Sequence, residues 1–334
     1  MRYCLAASFL ILLFPCSSGL FAQLTSARVS GRVTDSAQST IPGATVTAID
    51  TMTGTAYHVE TDNQGTYVLT GLLPDTYRLT FSKSGFQTGI QEGLIVTVGQ
   101  SATVDTVLQV GSVSTSVTVQ AASDAINLQS PTVSTAIDNK MTQELPLNGR
   151  DVLQLAQLAP DSGPTATGPY NQGASRPDLT NSYVGASGGR GDSTAFYLDG
   201  ALNEDVLTQI ANVFPNPDAV QEFSFDTSAF SAKFAGLGGG VMNAVTRGGT
   251  NEIHGVLFEF LRNSALNGRN YFSPTQDGLK RNQFGGTIGG PILKDKTFGF
   301  FSYQGTTLTQ NPINSATVLT AAERGGDFSA VSRQ

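Results

Sequence analysis

The alternation of apolar and polar positions divides the chain into stretches of different period. Between residues 27 and 110 the period is two. Val29, Gly31 and Val33 alternate with Ser30, Arg32 and Thr34, and Ala44, Val46 and Ala48 with Thr45 and Thr47. Tyr77, Leu79 and Phe81 alternate with Arg78, Thr80 and Ser82, and Val104, Thr106 and Leu108 with Thr103, Asp105, Val107 and Gln109. Ile41-Pro42-Gly43, Asp62-Asn63-Gln64-Gly65 and Leu73-Pro74-Asp75 supply turns between these runs. Short alternating strands separated by turn residues predict a β-sandwich with one face of each strand turned inward. Over 141–160 the period lengthens: Val152, Leu155, Ala156, Leu158 and Ala159 follow helical spacing after a polar entry at Pro146–Asp151, and Pro160 stops the run.

From Gly185 to Gly249 the pattern is one of short strands between glycine turns. Phe196-Tyr197-Leu198 runs into Asp199-Gly200, a strong tight-turn signal. Val220–Phe225 places Phe223 and Phe225 on one face. Gly238–Gly240 presents no side chain, which predicts that another part of the chain approaches the backbone there. Residues 161–183, rich in Gly, Pro, Ser and Asn, read as a loop, as does Phe214-Pro215-Asn216-Pro217.

Composition fits this picture. Charged residues make up 13% of the 334, against roughly 25% in ordinary domains, while glycine is abundant at 37. The net charge of −7 and the lack of any basic cluster argue against a nucleic-acid partner. At the start of the chain, Arg2, the apolar run Leu5–Phe14 and the small residues Ser17, Ser18, Gly19 and Ala22 have the order of an export signal, with cleavage expected after Ala22. Both cysteines, Cys4 and Cys16, lie inside it, so the mature chain needs no disulfide. Phe14-Pro15 before Cys16 is not the small pair a lipoprotein signal requires.

The sequence of residues 27–110 resembles the carboxypeptidase regulatory-like domain. The resemblance rests on Gly31–Asp35, Ile41–Val46, Thr61–Tyr67, Leu73–Leu79 and Gly85-Phe86. It departs from the family at Asp75-Thr76, where glycine is common between the Pro and the Tyr. The later glycine-rich stretch resembles the plug of TonB-dependent outer-membrane receptors. Arg190-Gly191, Leu198-Asp199-Gly200, Val220–Phe223 and Gly239–Thr246 fill the family's slots in order, although Phe234-Ala235-Gly236 stands where Tyr-Gly is common. Leu145–Arg150 matches plugs of the Oar-like branch.

The resemblance implies a mainly β fold: a seven-stranded transthyretin-like or Ig-like sandwich, an α+β plug over 121–250, and the first strands of an outer-membrane β-barrel over 251–334. Within 252–306, Val256, Phe258 and Phe260 alternate with Gly255, Leu257, Glu259 and Leu261; Phe284, Gly286 and Ile288 alternate with Gly285, Thr287 and Gly289; and Phe298 and Phe300 alternate with Gly299, Phe301 and Tyr303. A soluble antiparallel sheet would alternate similarly; the preceding plug favours membrane strands. Residues 251–334 have room for at most about six membrane strands with their connections, of which three are clear, whereas plugged transporters use about 22. The chain is therefore expected to be the N-terminal part of a longer receptor, its barrel incomplete.

The resemblance also implies site residues. The plug signature comprises Arg190, Gly191, Asp199, Gly200, Glu222, Gly239, Gly240, Asn243 and Thr246. Residues 111–120 link the sandwich to the plug, and Val113, Ser116, Val117, Thr118 and Val119 are the candidate TonB box, the handle of an energy-transducing periplasmic partner. An uncharged β-branched segment suits addition to a partner's sheet edge, yet a linker or the sandwich's last strand fits the same composition. The expected partners are that TonB-type protein, outer-membrane lipid and an extracellular ligand of siderophore, saccharide or peptide class, with no nucleic acid. The alternative is a non-transporting envelope adhesin or a carbohydrate- or protein-binding sandwich module.

Catalysis finds little support. His58 and His254 are the only histidines and stand alone, which disfavours a zinc site or a His-based triad; no metal, cofactor or enzymatic activity is expected. No Gly-Lys-Ser/Thr follows the glycine cluster, so it is not a phosphate loop. Arg190-Gly191-Asp192 falls on the plug signature and is read as part of it. If the signal reading holds, N-terminal sequencing of the envelope-associated protein begins near Gln23; a cytoplasmic protein that retains Met1 contradicts it.

Overall fold

The computed structural model describes residues 26–111, 116–120, 131–164, 184–189, 193–205, 211–234, 238–269, 271, 276, 278–309 and 319–329. The expected signal segment, Val113, Arg190 and Gly191 lie outside them. Two compact units are present: 1–256 with 287–302, and 257–286 with 303–334.

The first unit begins with nine strands: β1 (Ala27–Asp35), β2 (Thr45–Asp50), β3 (Ala56–Glu60), β4 (Thr66–Leu72), β5 (Asp75–Ser82), β6 (Thr88–Val96), β7 (Ser101–Thr103), β8 (Thr106–Leu108) and β9 (Ser116–Gln120). One sheet has the order β4-β1-β7, with β8 also on β1; the other has the order β3-β2-β5-β6-β9. Strands β7 and β8 both run parallel to β1, at Arg28–Ser30 and Val33–Asp35 respectively. They are two halves of one strand interrupted at Val104-Asp105, where the Asp105 carboxylate accepts from the Arg32 N–H at 2.8 Å. Counted this way, 27–110 holds the expected seven strands.

The period-two pattern becomes the core directly. Along β2 every second residue is buried, and Val29, Val46, Leu79 and Phe81 are fully enclosed. Each buried tyrosine finds a carbonyl: the Tyr67 hydroxyl donates to Val104 O at 2.8 Å and the Tyr77 hydroxyl to Leu73 O at 2.9 Å. The Tyr67 ring meets Phe81 edge-on with centroids 5.7 Å apart. Gly31 is required where the interrupted strand crosses, because a Cβ there would stand 1.9 Å from Val104 O. Beyond the seven strands, β9 extends the second sheet by pairing in parallel with Thr88–Glu92 of β6. Of the three readings of 111–120, Ser116–Gln120 therefore adopt the last strand of the sandwich rather than a linker.

The middle region contains β10 (Val133–Asp138), α1 (Asn139–Glu144), a 3-10 turn (Val152–Leu158), β11 (Ser162–Pro164), β12 (Val184–Ala186), β13 (Ala195–Leu198), β14 (Ala201–Leu202), β15 (Val220–Ser228) and β16 (Val241–Thr246). Its main sheet has the order β10-β15-β16-β13-β14, parallel only between β13 and β16. Ile137, Phe196, Phe223, Phe225 and Met242 form a fully buried core with Val152, Leu153, Leu155 and Ala156 of the 3-10 turn.

The continuous helix expected over 141–160 is not formed. Helix α1 ends at Glu144, with Leu145 extended ahead of Pro146, as the proline ring demands. Gly149 and Arg150 then adopt left-handed angles, φ 82° and 57°, before the chain resumes as a 3-10 turn capped by Asp151. The apolar spacing was correct for the buried face, but the Pro and Gly within the run divide it.

The last described strands are β17 (His254–Asn263), β18 (Lys280–Leu293) and β19 (Thr297–Thr309), in the order β17-β18-β19, followed by α2 (Ala321–Arg324) with a Thr320–Glu323 capping box. Leu257 is 90% exposed, Ile292 70% and Phe301 64%, the disposition of strands that turn apolar side chains to lipid.

A charged residue at the centre of the sandwich has no partner available. Phe81→Asp is expected to remove more than about 4 kcal/mol, enough to abolish the cooperative melt of a 26–120 fragment followed by far-ultraviolet circular dichroism. A retained sigmoidal β-type transition in that variant would contradict the placement of Phe81.

Candidate functional site: the middle sheet and its contacts

The signature residues come together around β13, β15 and β16. Strand β13 ends in a two-residue hairpin in which Tyr197 pairs Leu202 and Leu198 pairs Ala201. Its turn residues Asp199 (φ 50°) and Gly200 (φ 83°) are both left-handed, the geometry that Asp-Gly favours. This conformation presents the Asp199 side chain to the end of β16, where its carboxylate accepts from the Thr246 N–H at 2.8 Å and from the Thr246 hydroxyl at 2.9 Å. Two signature positions 47 residues apart in sequence thus share one hydrogen-bonded pair.

The glycine run behaves as its lack of side chains predicts at two of three positions. A Cβ on Gly239 would lie 2.5 Å from Ser193 Oγ; on Gly240, which has φ +123°, it would lie 3.0 Å from the Phe225 ring. Nothing approaches Gly238. The next signature residue, Asn243, is 2% exposed between Tyr197 and Ser224 on the neighbouring strands, and its Oδ1 has no hydrogen-bond partner.

Glu222 is the least expected of the set. Strand β15 is central, pairing β10 through Asp138 and β16 through Val245, and both of its faces are largely buried. Glu222 is 7% exposed, and its carboxylate accepts from the Val98 N–H in the sandwich at 2.8 Å. Burial, reinforced by the Asp138 charge and opposed by the Val98 hydrogen bond, raises its pKa to about 7. A position that the sequence assigns to the middle sheet's own fold therefore also touches a different domain.

Sequence reasoning missed a buried charge cluster. Arg150 pairs with Asp218 through its guanidinium, both side chains nearly inaccessible. Burial lowers the pKa of Arg150 and of Arg247, and Asp218 opposes the shift at both. The backbone of Arg247 also donates to Ala219 O at 2.9 Å. The available signal was a lone Asp218 beside Pro217 and the Arg150 that follows Asn148-Gly149; their distance in sequence hid the pairing. Among the candidate handle residues, Ser116, Val117, Thr118 and Val119 all lie in β9. Among the described residues no group of three His, Cys, Asp or Glu side chains is placed to hold a metal. None of the described helices is long and apolar enough to cross a membrane, which says nothing of strands.

Comparison with known proteins bears on this arrangement. Residues 28–109 match the carboxypeptidase regulatory-like domain and residues 245–334 an outer membrane beta barrel domain. The TonB-dependent transporter Oar of Myxococcus xanthus is 28% identical over 305 residues, covering 86% of this chain and 27% of the relative. The chain resembles the Oar-like TonB-dependent receptors.

This Oar-like chain is an outer-membrane protein, and it spans about a quarter of the length of its Myxococcus relative. Among solved structures, the siderophore receptor PirA of Acinetobacter baumannii overlaps 55% of the chain at 15% identity and a TM-score of 0.39. A hydroxyquinol 1,2-dioxygenase of Pseudomonas putida overlaps 26% at 12% identity and a TM-score of 0.23. Overlaps this partial carry no functional argument.

The position of Glu222 gives the chain's stability a pH dependence of defined sign. Its folded pKa, about 7, lies above the ordinary 4.5, so the folded state binds the proton more tightly. Stability from this group is complete below about pH 4.5 and is lost as pH rises through about 7. Glu222→Gln, permanently neutral with its carbonyl acceptor retained, is expected to flatten that part of the pH profile in chemical denaturation; an unchanged slope would mean that Glu222 titrates normally.

Proposed function

We propose that this chain is the ligand-gating part of an outer-membrane transporter, worked from the periplasm by a TonB-type partner. In this reading 121–250 is the plug and 251–334 begins the barrel that surrounds it. The bonded signature pair Asp199–Thr246 and the close-packed Gly239 and Gly240 support the plug assignment, because they give a physical role to four of its motif positions. The ligand is an extracellular solute of siderophore, saccharide or peptide class. The mechanism is conformational: binding outside changes the plug, and traction from the partner moves it.

The observation that carries the reading is the state of the handle. Ser116–Gln120 is already a β-strand, and in its sheet it stands at the end of the order β3-β2-β5-β6-β9. One edge of β9 is committed to β6; among the described residues no strand pairs with the other. An edge strand offers its N–H and C=O row to an incoming chain, so a partner strand can add there with backbone bonds already aligned. The segment joins the sandwich to the middle sheet, so traction on it is transmitted along the backbone in both directions.

Val117→Pro removes one backbone donor and distorts the strand, and is expected to abolish retention of the receptor by the partner's immobilised periplasmic domain. Retention unchanged by this substitution would place the handle elsewhere.

A further inference from the structure

Two turns of the sandwich bond to residues outside it. The first joins β6 to β7. Gln100 N–H donates to Thr97 O at 3.1 Å, and Gly99 supplies the left-handed residue at φ +66°. Val98, at the tip, is only 5% exposed, although it does not belong to the sandwich's own core. Its burial and the donation of its N–H to Glu222 on β15 have the same origin: the turn is packed against the middle region.

The second turn joins β2 to β3. The buried Asp50 carboxylate accepts from the Met52 and Thr53 N–H groups at 2.8 and 3.0 Å, fixing the turn and leaving the Met52 and Thr53 carbonyls directed outward. Asn251 takes both. Its N–H donates to Met52 O at 3.2 Å and its Nδ2 to Thr53 O at 2.7 Å. The same side chain binds the β18–β19 turn: Nδ2 donates to the Asp295 carboxylate, and Oδ1 accepts from the Asp295 N–H, each at 2.9 Å. Asp295 holds φ +60°, a conformation Asp tolerates and one that aims its N–H at Asn251. Both amide hydrogens and the carbonyl of Asn251 are thus used to bridge two turns, which is its full donor capacity.

We infer that these two turns form a docking face that seats the sandwich on Glu222 and Asn251, and that the seated sandwich holds β15 in place. Two anchors on one rigid sandwich, 46 residues apart in its sequence between Met52 and Val98, fix its orientation as well as its position. In these bonds the sandwich contributes backbone atoms, and they are met by the Glu222 and Asn251 side chains together with the Asn251 N–H. Displacing β15 while the sandwich stays seated breaks the Val98 bond and leaves a buried carboxylate without that donor, an expensive state. The sandwich is then an intramolecular latch, and movement of the middle sheet requires its release. This inference does not depend on which solute or partner the receptor uses.

Hydrogen exchange on the whole chain in detergent tests the latch. Glu222→Ala is expected to speed exchange of the Val98 amide about tenfold and, because the sandwich lifts as one body, the Asn251 amide by a similar factor. Asn251→Ala is expected to produce the reciprocal pair of changes. Glu222→Gln keeps the acceptor and should preserve protection at both sites. Amides of β1 and β4 should be unchanged in every variant. Loosening confined to each variant's own contact would reduce the latch to two unconnected bonds and overturn it. Loss of protection in β1 and β4 would do so as well, by making Glu222 a folding residue, as would a Glu222→Gln variant that exchanges as fast as Glu222→Ala.

Discussion

Strand β15 is covered on both faces, and the rest of the first unit is arranged to make that tolerable. Its backbone is paired to β10 on one side and β16 on the other. Phe223 and Phe225 enter the core beneath it. The opposite face carries Glu222 and Ser224 out of water, and a carboxylate in that position needs a donor. The Val98 N–H supplies it from another domain. A strand that is central in its sheet and buried with a carboxyl group on it can move only if several partners give way together.

Close backbone approach is the second constraint. Gly249 marks the point where the chain leaves the middle sheet: a Cβ there would stand 2.4 Å from Gly299 O and 2.7 Å from Gly290 O, on β19 and β18. Gly239 and Gly240 allow the same proximity to Ser193 and Phe225. Glycine clusters in this chain are therefore packing devices as well as turn formers: a side chain at Gly249 would meet only backbone, one at Gly239 both the Ser193 hydroxyl and backbone, and one at Gly240 the Phe225 ring.

The two ends of the chain handle sheet edges in opposite ways. The sandwich leaves β9 as a short strand with one edge that no described strand pairs, a local and usable liability. Strands β17 to β19 expose large side chains such as Leu257, Ile292 and Phe301, which in water would be an aggregation hazard and in lipid are the solvent-facing surface.

The sequence by itself determined the elements whose information is local. Alternation over 27–110 specified the sandwich strands, since a period of two fixes which side chains face inward. Asp199-Gly200 specified its hairpin, since both residues accept left-handed angles. Helical spacing over Val152–Ala159 identified a buried face, which the chain forms as a 3-10 turn separated from α1 by Pro146 and Gly149. Tertiary structure alone decided what depends on distant partners. Asp218 finds Arg150 across 68 residues, and Glu222 finds Val98 across 124. Asn251 finds Thr53 across 198, and Ser116–Gln120 becomes a sandwich strand because β6 has an edge to offer. In the Val98 and Thr53 contacts one partner is a backbone atom, which every residue except proline's missing N–H supplies equally, so no side-chain pattern on the sandwich could have announced them.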